Sequence, residues 1–278
     1  MVERYFKLSD LPLKDSLTSL LFVGDSGNPN GVTPIVVGGV AIQIHAESYR
    51  ALLRRTPDLD LLLPDNIEYE EFIQKVTPRP MEFLKSEGYQ VQTKRGRLNN
   101  TLKVMRNQNK PNAEELLVHF MQFSPNVWND FKDYVANQIK FSRQMTYSAT
   151  GEKVQTVALE ELIPLKLQRT IKYGSNRSDL VGPVYSSLIM HAIRGNWGHL
   201  AGMPIGDWKE TIHKMQSEAG IDDPLKLERV STYKLSKDIY DLCLAARVIN
   251  DSLSTFDKDR YEQNVKRIIE RRSPQIAL

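Results

Sequence analysis

Ile35-Val36-Val37-Gly38-Gly39-Val40-Ala41-Ile42-Gln43-Ile44-His45, followed after nine intervening residues by Arg55-Thr56-Pro57-Asp58-Leu59-Asp60-Leu61-Leu62-Leu63-Pro64, decides how this chain folds. A β-branched run that ends at two glycines predicts a strand turning into a helix. The second stretch alternates Asp with Leu and stops at Pro64, which predicts another strand. Asp58 and Asp60 are two apart, so on a strand they share a face. Two neighbouring carboxylates repel and add nothing to a strand. A divalent cation removes that repulsion, and oxygen ligands are what Mg²⁺ prefers. Glycines at a helix start leave bare backbone N–H groups for a phosphate. Strand, Gly-Gly, helix, Arg-Thr-x-Asp-x-Asp, strand together describe a site for a metal-bound triphosphate. Taken singly, an Asp-x-Asp reads as a solvated face, and His45 as a packed or capping residue.

Outward from this pair, Tyr69 to Gly88 carries apolar residues at helical spacing. Leu102–Arg106 and Glu115–Phe123 read as two strands joined by the polar turn 107–112. The expectation is a mixed sheet with flanking helices. After about residue 156, 3.6-residue spacing predicts helices over Ala158–Tyr173, Ser178–Arg194, Asp207–Ala219, Ser236–Asn250 and Asp257–Arg272. The chain is therefore expected to be α+β, with a sheet domain over 1–150, a mostly helical domain over 151–278, and a boundary near Thr150-Gly151.

Composition narrows the class. The 278 residues include 41% hydrophobic and 26% charged residues, which excludes a disordered or fibrous chain. No apolar run reaches the ~18 residues of a membrane helix. Met1-Val-Glu-Arg-Tyr-Phe-Lys7 lacks a signal-peptide core, so the expected location is the cytoplasm, with no membrane partner. Cys243 is the single cysteine, which excludes an intramolecular disulfide and a multi-cysteine zinc site. The net charge of +3 neither demands nor excludes nucleic acid.

Gly38-Gly39 followed by Arg55-Thr56-Pro57-Asp58-Leu59-Asp60 resembles the DNA polymerase beta-type nucleotidyltransferase superfamily. Within it, the chain looks most like the abortive-infection type nucleotidyltransferases, toxins of bacterial toxin–antitoxin pairs. Those proteins carry a Leu-x-x-x-Lys motif continuing to an Arg in the first helix of their second domain, then a basic residue and an Asp. Here stand Leu162-Ile-Pro-Leu-Lys166-Leu-Gln-Arg169 and Arg177-Ser-Asp179, with Gly182 near the place of the family's further Asp. The resemblance spans residues 35 to about 190. It implies a nucleotidyltransferase domain, a helical domain closing the NTP cleft, and Mg²⁺ as cofactor. Asp58, Asp60 and Lys166 would be catalytic; Gly38, Gly39, Arg55, Thr56, Lys166 and Asp179 would bind NTP. An acceptor hydroxyl would attack the α-phosphorus, and pyrophosphate would leave. A third metal group is expected beside Asp58 and Asp60: Glu115, which opens a Leu-Leu-Val run, with His119 as the alternative.

Several readings stay open at this level. Lys166 is either a phosphate ligand or a snorkelling lysine on an amphipathic helix. Lys94, Arg95, Arg97, Lys103, Arg106 and Lys110 form either a phosphate-binding surface or a charged edge strand. Tyr173, Trp197 and Trp208 are either base platforms or core. Asp238, Asp241 and Asp251 read as exposed helix positions. The acceptor is RNA or tRNA, with a cognate antitoxin as a further partner, or a small molecule such as an aminoglycoside. A catalytically degenerate binding or inhibitory protein with the same fold is the alternative from another class.

Overall fold

In the computed structural model the described residues are 34–54, 58–63, 70–71, 74, 82, 89–95, 99–106, 115–121, 132–147, 152–175, 182–206, 208–219 and 226–270. The chain divides into two compact units, Met1–Glu47 with Arg54–Ala158, and Ser48–Leu53 with Leu159–Leu278.

The first unit contains β1 (Ile35–Val37), α1 (Gly38–His45), β2 (Asp58–Leu62), β3 (Tyr89–Arg95), β4 (Asn99–Arg106), β5 (Glu115–Met121), α2 (Lys132–Lys140), β6 (Arg143–Tyr147) and β7 (Glu152–Thr156). The strands form one sheet in the order β3-β4-β5-β2-β1-β7-β6. β1 with β7 and β2 with β5 are parallel, and the other neighbours are antiparallel. Alternation decides the faces. Val36, Leu59 and Leu61 are fully buried, whereas Asp60 between the two leucines is half-exposed. Burying each of those aliphatic side chains contributes about 1.5–3 kcal/mol, which fixes the strand register. His45 is a tie within this unit: its Nε2 donates to the Val157 carbonyl at 2.8 Å, while the Val157 N–H donates to Val36 O at 3.0 Å.

The expected hairpin is present as β4 and β5. β3, β6, β7 and α2 were not anticipated. β3 and β6 are the two edge strands, and their polar sequences Tyr89-Gln-Val-Gln-Thr-Lys-Arg95 and Arg143-Gln-Met-Thr-Tyr147 suit an edge that must not recruit another chain. The expected boundary at Thr150-Gly151 falls before β7. Because β7 pairs with β1, the sheet unit runs to Ala158. The expected helix over Tyr69–Gly88 lies outside the described residues except Glu70, Glu71, Gln74 and Glu82, which are helical.

The second unit is helical: α3 (Leu159–Ser175), α4 (Gly182–Ile193), α5 (Trp197–Ala201), α6 (Trp208–Ala219), α7 (Lys226–Asp251) and α8 (Lys258–Glu270). Strands and helices thus segregate along the chain, an α+β arrangement. α7 begins ten residues before the expected Ser236 and packs against α3, α5 and α6. Leu242, Cys243, Leu244, Ala245 and Ala246 are consecutive and all buried, as in a helix covered on every side. Ser48–Leu53, most of it a short helical segment, joins this unit because Tyr49 donates to Asp251 of α7 and Tyr240 of α7 donates to the Leu52 carbonyl.

α3 carries Pro164 in its interior. Proline lacks the N–H that would donate to the carbonyl four residues earlier, that of Glu160. The side chain of Asn264 on α8 takes its place, with Nδ2 donating to Glu160 O at 3.0 Å and to Glu161 Oε2 at 2.8 Å. Arg260 on the preceding turn of α8 lies 3.1 Å from Glu160 and 3.3 Å from Glu161, both fully buried. Burial pushes the Glu161 carboxyl above its ordinary range, and Asn264 and Arg260 pull it partly back.

Candidate active site

β1 runs antiparallel to β2, with Val37 opposite Asp60, so the turn leaving β1 lies beside the aspartates. Gly38 makes that turn at φ +70°, a left-handed conformation in which a side chain is strained. A Cβ at Gly38 would lie 2.5 Å from Oδ2 of Asp60 and 3.3 Å from its Cγ. Glycine is required there twice over, by backbone conformation and by the carboxylate pressed against it. α1 starts at the same point. Its N-cap residue Val37 provides no capping side chain and its first turn holds no acid, so the nearest carboxylate is that of Asp60 from β2. Asp58 precedes Asp60 by two on β2 and has the same pleat parity.

The third group was expected at Glu115 or His119. β5 is parallel to β2, with Leu117 opposite Asp58 and His119 opposite Asp60. His119 is therefore the residue in direct register with an aspartate, and Glu115 stands one step of the same face earlier, diagonal to Asp58. Arg55, Thr56, Arg177 and Asp179 lie outside the described residues. Arg54, one residue before the motif, is fully buried and was not singled out by any pattern. Gln43 on α1 is 2% exposed, and among the described residues neither of its amide atoms has a hydrogen-bond partner.

Lys166 lies in the helical unit and is 3% exposed. Its ammonium is shared between Asp241 at 2.5 Å and Asp238 at 3.2 Å, and Arg169 donates two further hydrogen bonds to Asp238. Asp238 and Asp241, expected at exposed positions, are fully buried. The reason is their spacing: residues 238 and 241 on α7 form one i,i+3 pair, and residues 166 and 169 on α3 form the complementary one. Burial alone would push the Asp238 carboxyl up, but Lys166 and Arg169 outweigh it and hold the group below its ordinary range. The Lys166 charge is thus compensated inside its own unit. Asp251 is exposed, as expected, and accepts the Tyr49 hydroxyl. Trp197, considered for base stacking, is core: 4% exposed, with its ring edge-on to Tyr261 at 4.9 Å and Phe256 at 5.5 Å. Trp208 is half-buried.

Of the six basic residues, the four on described strands divide between the two parities of the sheet. Lys94 and Lys103 belong to the sheet face of Asp58 and Asp60, whereas Arg95 and Arg106 have the opposite parity. Arg97 and Lys110 lie outside the described residues.

No protein-family model and no curated protein matches the chain. Among solved structures the chain is similar to the crystal structure of an antigenic nucleotidyltransferase-like protein from Paracoccidioides brasiliensis. The two share 17% sequence identity over 67% of this chain and 78% of that one, at a TM-score of 0.39. A likeness at that level assigns no residue of this chain a role.

Proposed function

We propose that the protein is a Mg²⁺-dependent nucleotidyltransferase that moves a nucleoside monophosphate from an NTP to an acceptor hydroxyl. The observation that carries this reading is Gly38, held at φ +70° against the Asp60 carboxylate at the start of α1. It brings an anion-binding backbone and a metal-binding carboxylate into one place, as a metal-bound triphosphate demands. The donor set fits Mg²⁺: two hard carboxylates, Asp58 and Asp60, two apart on one strand. When bound, Mg²⁺ supplies neutralisation of phosphate charge and lowers the pKa of an attacking hydroxyl.

The rest is work for the chain itself. The N–H groups of Gly38, Gly39 and Val40, free of a capping side chain from Val37, are positioned to bind phosphate oxygens. Asp60 is held against the Gly38 backbone, so its carboxylate is oriented before any ligand arrives. Leu59 and Leu61, both fully buried, anchor the strand that carries the two acids. Lys166, with its charge already matched by Asp238 and Asp241, is assigned to the architecture of the helical unit in this proposal.

Incubation with α-³²P-labelled NTPs and Mg²⁺, with total RNA or an aminoglycoside as acceptor, tests the reading. Label transfer by the wild type and its loss in a folded Asp60→Asn variant is the expected result. Wild-type turnover by Asp60→Asn would remove the metal role.

A further inference from the structure

Glu160 and Glu161 stand side by side in the first turn of α3, and each is fully buried. Glutamate is rarely buried to that degree without a countercharge. Among the described residues the cation within 4 Å of both is Arg260 on α8, at 3.1 Å from Glu160 and 3.3 Å from Glu161. The same guanidinium also stands 3.8 Å from Asp257. It thus faces three carboxylates, two of them shut off from water. The other contacts are uneven. Glu160 accepts the Asp257 backbone N–H at 2.9 Å, whereas Glu161 accepts the neutral amide of Asn264 at 2.8 Å. The positive end of α3 favours both acids alike. Arg267, one turn beyond Asn264, is exposed, so solvent screens its charge from Glu161. α4, which also packs on α3, holds no Asp, Glu, Lys or Arg, and its His191 stacks on His199. On α7, Asp238 and Asp241 are matched further along α3 by Lys166 and Arg169. Glu161 is the carboxyl at which burial outweighs these partners, and it is held above its ordinary range.

We propose that the α3–α8 junction is a proton-operated clasp, closed by one proton on Glu161 and loosened when that proton leaves. Docking of α8 on α3 then takes a proton up from solvent. A neutral Glu161 leaves Arg260 to Glu160 and Asp257. An ionised Glu161 sets a further buried charge beside the same guanidinium, against the full desolvation cost of that position. The clasp also bears on the backbone of α3. Asn264, which binds the Glu161 side chain, is the group that serves the Glu160 carbonyl left open by Pro164, so opening the junction releases both contacts together. Linkage gives the sign. A carboxyl raised in the fold contributes stability that is complete below its ordinary value of 4.5 and is lost as pH rises through the folded one. Asp238, held below its ordinary range, works in the opposite sense. The clasp lies wholly within the helical unit and is independent of the nucleotidyl-transfer reading.

The test is hydrogen exchange of the Lys258–Glu270 amides in the full chain from about pH 4 to about pH 8, corrected for the intrinsic pH dependence of exchange. Wild-type protection is expected to fall as pH rises. Glu161→Gln removes the titrating group and is expected to keep one level of protection across the range, whatever constant offset the amide brings. Glu160→Gln removes the neighbouring negative charge that holds the Glu161 proton, so the fall is expected to move to lower pH. If Glu161→Gln does not fold by circular dichroism, the position of the fall in Glu160→Gln against the wild type decides alone. Wild-type protection that is flat or rises with pH, a fall that Glu161→Gln shares, or a fall that Glu160→Gln leaves in place each overturns the clasp.

Discussion

Replacing Gly38 with alanine tests the site with the least ambiguity, because the structure assigns two separate penalties to one methyl group. The first is conformational. A residue with a Cβ at φ +70° pays about 1–2 kcal/mol relative to glycine. For a chain of this size that corresponds to a melting point lower by about 2–8 °C. The second is steric and falls on Asp60. The new Cβ would lie 2.5 Å from Oδ2, and real contacts lie at 3.0–3.4 Å or beyond, so the carboxylate must retreat by 0.5–0.9 Å, from 3.0 − 2.5 and 3.4 − 2.5. Mg²⁺ demands near-ideal octahedral ligands at about 2.0–2.1 Å, and a displacement of about 1 Å in a reacting geometry costs about 10²-fold in rate. Thermal unfolding and labelled-NTP transfer read the two penalties independently. In an Asp60→Ala background the 2.5 Å overlap with Oδ2 disappears, leaving backbone strain and a 3.3 Å approach to the Cβ at position 60, so the stability cost of Gly38→Ala should shrink. Gly39→Ala, at a glycine without positive φ, is the comparator. A Gly38→Ala protein that melts and transfers like wild type would refute the reasoning at both levels.

Two further predictions concern the helical unit. Asp238→Asn leaves Lys166 buried with Asp241 as its remaining carboxylate, and should cost about 3 kcal/mol in chemical denaturation. Because the folded Asp238 lies below its ordinary range, its contribution is complete above the ordinary aspartate value and is lost as pH falls through the folded one. The wild type should therefore lose stability relative to Asp238→Asn as pH falls below the ordinary aspartate value of 3.8, and parallel curves there would contradict the assignment. Asn264→Ala should cost about 1–3 kcal/mol by orphaning the Glu160 carbonyl. Pro164→Ala restores an N–H to that carbonyl, so the double variant should lose less than the sum of the singles; strict additivity would show that Asn264 does not replace the missing donor.

Legibility in the sequence followed the amount of apolar surface each element buries. β1, β2 and the β4–β5 hairpin announced themselves through β-branched runs, period-2 alternation and Gly or Pro stops. β3 and β6 did not, because edge strands built from Gln, Thr, Lys and Arg carry no hydrophobic period. Gly-Gly was readable as a turn, but which glycine bears the strain depends on where Asp60 packs, a contact across 22 residues of chain. The charge cluster was hidden for the same reason. Asp238 and Asp241 occupy an i,i+3 spacing that looks like a solvated stripe, and their partners lie 69 to 75 residues away. Their flanks held the available signal, since Tyr240 and the run Leu242–Ala246 leave α7 little room for a polar face.

The repair of Pro164 by Asn264 has a consequence for how the helical unit assembles. α3 cannot close its own hydrogen-bond ladder: the missing rung, and the countercharge for Glu160 and Glu161, arrive from α8, about a hundred residues later. The N-terminal turns of α3 are therefore incomplete on a nascent chain until the last described helix has been made and docked. Such long-range closure ties both ends of the unit into a single cooperative event and slows its formation relative to a bundle of local contacts. Loss of α8 would accordingly be felt first at the opposite end of the unit, at Glu160 and Glu161.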